Sequence, residues 1–135
     1  MRPIPRIVLA LVASCLALFA SSCVGGPATK PHQLTSGRTI RVISVGRMHF
    51  TEAPPALVLS YQTDLEVDQA EALQEEVAEI WRGFQRDAEQ AKLSSAVIMA
   101  NEVPDGFLIK TNRSRSFVFA RNPDGTWLQE ADSRK

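Results

Sequence analysis

Between Asp68 and Ala91 the apolar side chains Leu73, Val77, Ile80, Trp81, Phe84, Ala88 and Ala91 recur at three- and four-residue intervals. That spacing lines one face of an α-helix, and a stripe about six turns long must be buried against another layer. Asp68 with Glu71 three residues later matches a capping box at the helix start. Acids crowd the first half of the segment and Arg82, Arg86 and Lys92 follow later, which complements the helix dipole. Gly83 sits inside the pattern at a cost of about 1 kcal/mol relative to Ala, and is expected to permit a close approach or to be neutral.

The flanking segments supply the second layer. Thr39 to Val45 is rich in β-branched residues and reads as a strand, which Gly46 and Met48-His49-Phe50 continue through a bulge. After Pro54-Pro55, Ala56 to Thr63 alternates Leu57, Leu59 and Tyr61 with Val58, Ser60 and Gln62, a second strand paired with the first. Beyond the helix, Ser95–Ala100, Phe107–Thr111, Ser116–Arg121 and Thr126–Leu128 are short strand candidates. Asn122-Pro123-Asp124-Gly125 is the clearest turn, with Pro fixing φ and Gly tolerating the last position. The expectation is an α+β domain over residues 38–130, one long helix on a mostly antiparallel sheet, ordered β-β-α-β-β-β-β. Residues 131–135 are expected to fray.

The N-terminal region has a different composition. Arg2 and Arg6 precede fourteen uncharged residues, Ile7 to Ala20, in the order of a secretory signal peptide. A membrane-spanning helix needs about 20 apolar residues, so an uncleaved anchor is the second reading. The run ends in Ala20-Ser21-Ser22-Cys23, and here the chain resembles the bacterial lipoprotein precursors. The resemblance covers residues 1–23 and implies that residues 1–22 are removed and that Cys23 becomes a lipidated, palmitate-bearing N-terminus. Val12-Ala13-Ser14-Cys15 fits the local pattern but leaves a short apolar core, and an ordinary cut after Ala20-x-Ser22 leaves a free thiol. Cleavage at Cys23 leaves a single cysteine in an oxidising compartment, where an internal disulfide is impossible. Val24, rather than an acid, follows it, and by family analogy this favours the outer membrane over the inner one. Residues 23–37 are poor in large aliphatics and rich in Gly, Pro, Ser and Thr, so they read as a flexible tether in which His32 is no site residue.

Charge and motif content narrow the function classes. The 15 basic and 15 acidic residues balance, and loss of Arg2 and Arg6 tips the mature chain slightly acidic, which argues against nucleic-acid binding. No metal-ligand spacing occurs: Asp64-x-Glu66-x-Asp68 lacks the glycine and terminal glutamate of a calcium loop. No cofactor motif is present, and no nucleophile elbow. His49, with Glu52 three residues on and Asp64 and Glu66 expected at the same sheet end, is the best general-base arrangement available. Lys110, Arg113, Arg115 and Arg121 form the one local basic cluster, either a solvated rim or a contact for an anionic envelope component. Trp81 reads as core, whereas Trp127 suits either the core or an interface.

These features point to a small envelope lipoprotein held at the membrane by its lipid, with a periplasmic domain that binds another envelope protein or an anionic envelope component and has no catalytic role. Phe50–Pro55 and Asn112–Arg115 are the loops that would suit a contact. The alternative is a small periplasmic hydrolase or transferase-like enzyme using His49 with a carboxylate partner.

Overall fold

The computed structural model describes residues 28–104 and 112–131. Among them are β1 (Lys30–Gln33), β2 (Thr39–Met48), β3 (Ala56–Thr63), α1 (Ala70–Gln90), β4 (Ser95–Glu102), β5 (Ser114–Arg121) and β6 (Trp127–Gln129). The strands form one sheet in sequence order, antiparallel at every step except β3–β4, which are parallel and joined by α1. The fold is therefore α+β, with one long helix on a mixed, mostly antiparallel sheet, as the periodicity predicts. A parallel neighbour pair requires a crossover long enough to return the chain, and the 21-residue helix supplies it.

Alternation explains which face α1 covers. Leu57, Leu59 and Tyr61 of β3, Ala96, Ile98 and Ala100 of β4, and Phe117 and Phe119 of β5 are all buried. They meet Leu73, Val77, Ile80, Phe84 and Ala88 of the helix stripe. Ten of these side chains are larger than alanine, and at roughly 1.5–3 kcal/mol each when buried they outweigh any intrinsic preference of the individual segments. The helix ends in a Schellman arrangement: the Lys92 N–H donates to Glu89 O at 3.0 Å and the Leu93 N–H to Ala88 O at 3.2 Å. Lys92 occupies the left-handed region there, with φ 57°.

Several expectations change. The capping box does not form: the helix starts at Ala70 with Gln69 at the cap, and no side chain bonds the cap position. Asp68 is drawn off by Arg113 instead, and the Gln69 amide oxygen accepts the Glu66 N–H at 3.0 Å. Gly83 faces solvent with nothing within 4 Å of where a Cβ would stand, so it accommodates no close approach. The irregularity in β2 lies between Val42 and Ser44 rather than at Gly46.

The tether reading is corrected over residues 30–34. Lys30–Gln33 is a strand, pairing Lys30 with Val42 and Gln33 with Thr39, and Leu34 is buried in the core. Backbone pairing to the edge of β2 and one anchoring leucine make this strand, without any apolar alternation of its own. Pro31 is tolerated because an edge strand has one side without a partner. The Phe107–Thr111 strand, Cys23 and Lys110 lie outside the described residues.

Candidate functional site

The sheet has two ends, and sorting the polar side chains between them decides which can act together. β2 and β5 run toward one end, where the β2–β3 loop, the C-terminus of α1 and the β5–β6 turn lie; β3 and β4 run toward the other. The second end carries the polar network.

At its centre is Glu76, on the core-facing stripe yet ionisable, and 5% exposed. Tyr61 Oη donates to Glu76 Oε1 at 2.8 Å and Thr63 Oγ1 donates to the same oxygen at 2.7 Å. Arg38 Nη1 donates to Oε2 at 3.2 Å from a side chain that is half exposed. Thr63 Oγ1 in turn accepts the Leu65 N–H at 3.1 Å. The hydroxyls reach Glu76 because residues 61 and 63 share the helix-facing side of β3. Burial, then the adjacent Glu76 charge, push the Tyr61 phenol far above its ordinary value, so it stays a proton donor. A shallow hollow of about 180 Å³ opens beside this group, lined by Arg38, Thr39, Arg41, Gln62, Asp64 and neighbouring atoms. The missed signal was positional: Glu76 stands three residues after Leu73 and four before Ile80.

The basic cluster divides. Arg115 and Arg121 stand six residues apart on one strand, about 20 Å, so they serve opposite ends of the sheet. Arg113 donates to Asp68 at 2.7 Å and lies 3.8 Å from Glu102, which itself accepts the Val67 N–H at 2.7 Å. The hydrogen bond and charge of Asp68 raise the Arg113 pKa above its ordinary value. Arg115 bonds Val67 O at 3.4 Å and sits 5.7 Å from the Phe117 ring centre, while Arg121 bonds Gly125 O at 3.3 Å. These arginines fasten the β3–α1 connection and the β5–β6 turn; they do not converge on a common point. The hollow beside Arg115, about 410 Å³, is bounded by Phe117, Ser116, Gln129, Glu130 and Ala131, with Gln74 and Gln129 exchanging amide hydrogen bonds at 2.7 and 2.9 Å.

His49 and Glu52 lie at the other end of the sheet, both exposed. Asp64 follows β3 at the end where Arg41 pairs with it, so the expected gathering of His49 with Asp64 and Glu66 is not made. Eight residues of β3, about 25 Å, separate the two groups. Among the described residues no group of three or more His, Cys, Asp or Glu side chains is placed to hold a metal ion.

The tryptophans belong together. Trp81 stacks on Phe119 with centroids 3.9 Å apart and planes 6° from parallel, and Trp127 meets Trp81 edge-on at 5.1 Å. The Trp127 indole N–H donates to Glu89 at 3.0 Å, so this residue pins β6 to the helix.

The face of the sheet away from α1 carries Val58, Val97, Met99, Val118 and Ala120, all half-buried, with Ser60, Ser116 and Asn101 among them. Val58, Val97 and Val118 are directly paired across three adjacent strands and form a continuous apolar row. Asn101 is held by Ser60 Oγ, Tyr61 O and Met99 O, which fixes one end of the row. No described element covers this face. No protein-family model, curated protein or solved structure matches the chain.

Proposed function

We propose that this chain is a small bacterial envelope lipoprotein, anchored through Cys23, whose domain is a binding module for another envelope protein. The anchor rests on the leader and the Ala20-Ser21-Ser22-Cys23 sequence. The observation that carries the binding role is the Val58–Val97–Val118 row on the sheet face that no described element covers. Antiparallel sheets that end in water on one side normally alternate to polar residues there, and a row of paired valines departs from that rule. The centre of the face bears no charge, which suits a protein surface of like polarity better than an anionic polymer. The engaged arginines favour the same choice, since each already bonds an acid or a carbonyl.

The enzyme alternative has less to draw on, because His49 stands exposed at the sheet end away from Asp64 and Glu66. Two measurements test the proposal. The N-terminal peptide of protein taken from its native membranes is expected to begin at Cys23 with glyceryl and acyl mass added, and an unmodified N-terminus overturns the anchor. A photo-crosslinking amino acid at Val97 is expected to trap one discrete envelope protein in cells, with loss of the adduct on Val118→Asp. Equal trapping from Arg82, on the solvent side of the helix, overturns the sheet face as the contact.

A further inference from the structure

We infer that the end of β2 and the loop after it, through Met48 and Phe50, contact the lipid bilayer and set the orientation of the domain on the membrane; this rests on the anchored reading of Cys23. Five large apolar side chains are exposed among the described residues, and three of them, Val45, Met48 and Phe50, fall within six residues at one end of β2. β1 covers only Thr39 to Val42, so among the described residues the rest of β2 is paired on one side alone, with Val45 and Met48 on that stretch and Phe50 just past its end.

The first described strand points back toward this same end. β1 runs antiparallel to β2 with Lys30 opposite Val42, so the N-terminal end of β1 is the one nearer Met48. Met48 stands six residues beyond Val42 on β2, about 20 Å. Seven residue steps separate Lys30 from Cys23 and span at most about 24 Å. A lipid on Cys23 therefore has reach to the end of the sheet and little more. It brings Met48 and Phe50 to the bilayer surface, where an apolar face sinks about 5–10 Å into the headgroup boundary.

The charge distribution agrees. The far end bears Asp64, Glu66, Asp68, Glu71, Glu75 and Glu102, more acid than its arginines offset, and an anionic bilayer repels it. The near end mixes Arg47, Lys92 and Arg121 with Glu52, Glu89 and Asp124. Arg47 donates to Ala91 O at 3.2 Å, which ties the exposed end of β2 to the end of the helix, so the loop is presented by a braced strand. In this pose the sheet stands upright on the membrane and the Val58–Val97–Val118 row faces sideways, accessible to a partner.

The test uses the full chain purified with its native N-terminus and placed in vesicles of phosphatidylethanolamine and phosphatidylglycerol. A lipidated Cys23 leaves the mature protein without a reactive thiol, so a nitroxide attaches only where a cysteine is introduced. Labels introduced through Phe50→Cys and Met48→Cys are expected to show oxygen-over-nickel collision ratios about fivefold above one introduced through Glu71→Cys. Equal ratios at the three positions in a protein whose wild type takes no label overturn the loop contact and leave the anchor standing. Labelling of the wild type means that Cys23 is unmodified and the anchor reading falls. The same comparison in a Cys23→Ser background then decides the loop alone: a retained excess at Phe50 supports it and its absence overturns it.

Discussion

Glu76 shows how a single side chain departs from what its neighbours suggest. In the sequence it is one acid in a run of acids, and such runs normally face water. Its burial is set by Tyr61 and Thr63, which come from a strand more than ten residues earlier, and by Arg38, which stands just before β2 in the β1–β2 connection. Only the three-dimensional pairing of β2, β3 and α1 brings these groups together, so the periodicity locates the position and not its chemistry. Glu76→Ala leaves two buried hydroxyls without an acceptor and is expected to destabilise the fold by about 2–4 kcal/mol, discounted because Arg38 reaches solvent. Tyr61→Phe keeps the Thr63 bond and should cost about 1 kcal/mol. Urea unfolding measures both, and an alanine variant within about 0.5 kcal/mol of the wild type would show that the carboxylate is not integrated into the core. The raised Tyr61 pKa adds a pH signature with a definite sign. Below the unfolded value of 10.0 both states hold the proton and the contribution is intact. As pH rises from there toward the folded value the unfolded state ionises first and stability falls, a dependence that Tyr61→Phe should remove. Lys92 offers a change in the opposite direction. Its φ of 57° is one that glycine adopts without strain, so Lys92→Gly is expected to stabilise by about 0.5–1 kcal/mol.

The elements differ in how far they could be read from the chain. The α1 stripe and the alternation of β3 are local periodic signals, and both survive in the fold because burial rewards the same residues that the pattern marks. β1 has no such signal: Lys30-Pro31-His32-Gln33 becomes a strand because β2 offers an edge and Leu34 anchors its end. Trp127 was equally undetermined, since its partners Trp81 and Glu89 lie far away in sequence. The helix start fails as a local reading for the same reason, because Arg113 competes for Asp68 across the sheet. Two substitutions separate local from tertiary contributions. Gly83→Ala, with space around it and helical backbone, should stabilise by about 0.5–1 kcal/mol through propensity alone. Leu34→Ala should cost about 2 kcal/mol and release β1. Thermal unfolding reports both, and a Gly83→Ala protein less stable than the wild type would mean that the glycine relieves a contact absent from this structure.

At the scale of the whole molecule, one helix and two parallel central strands hold an otherwise antiparallel sheet whose margins are thin. β3 and β4 are paired along their lengths on both sides, while β1 is four residues long and β6 three. The core side chains of β3, β4 and α1 are the fully buried ones, Tyr61, Leu73, Ile98 and Val77 among them. The edges are held by a leucine, an indole and backbone bonds near solvent, so opening them exposes little apolar area and requires less free energy than global unfolding. Native-state hydrogen exchange should therefore resolve two tiers. Amides of β3, β4 and the middle of α1 are expected to exchange only through global opening, with a denaturant dependence equal to the equilibrium value. Amides of β1 and β6, and those of β2 that bond β1, should exchange through smaller openings with a weaker denaturant dependence. Uniform exchange across the sheet would show instead that the edges are as tightly coupled as the centre. The division matters for the proposed membrane pose, in which β1 would carry the load between a lipidated Cys23 and the domain. If β1 opens below the global limit, the reach from the anchor lengthens by the residues released, and the same exchange experiment on vesicles should show β1 and the Met48–Phe50 loop protected together relative to the protein in detergent.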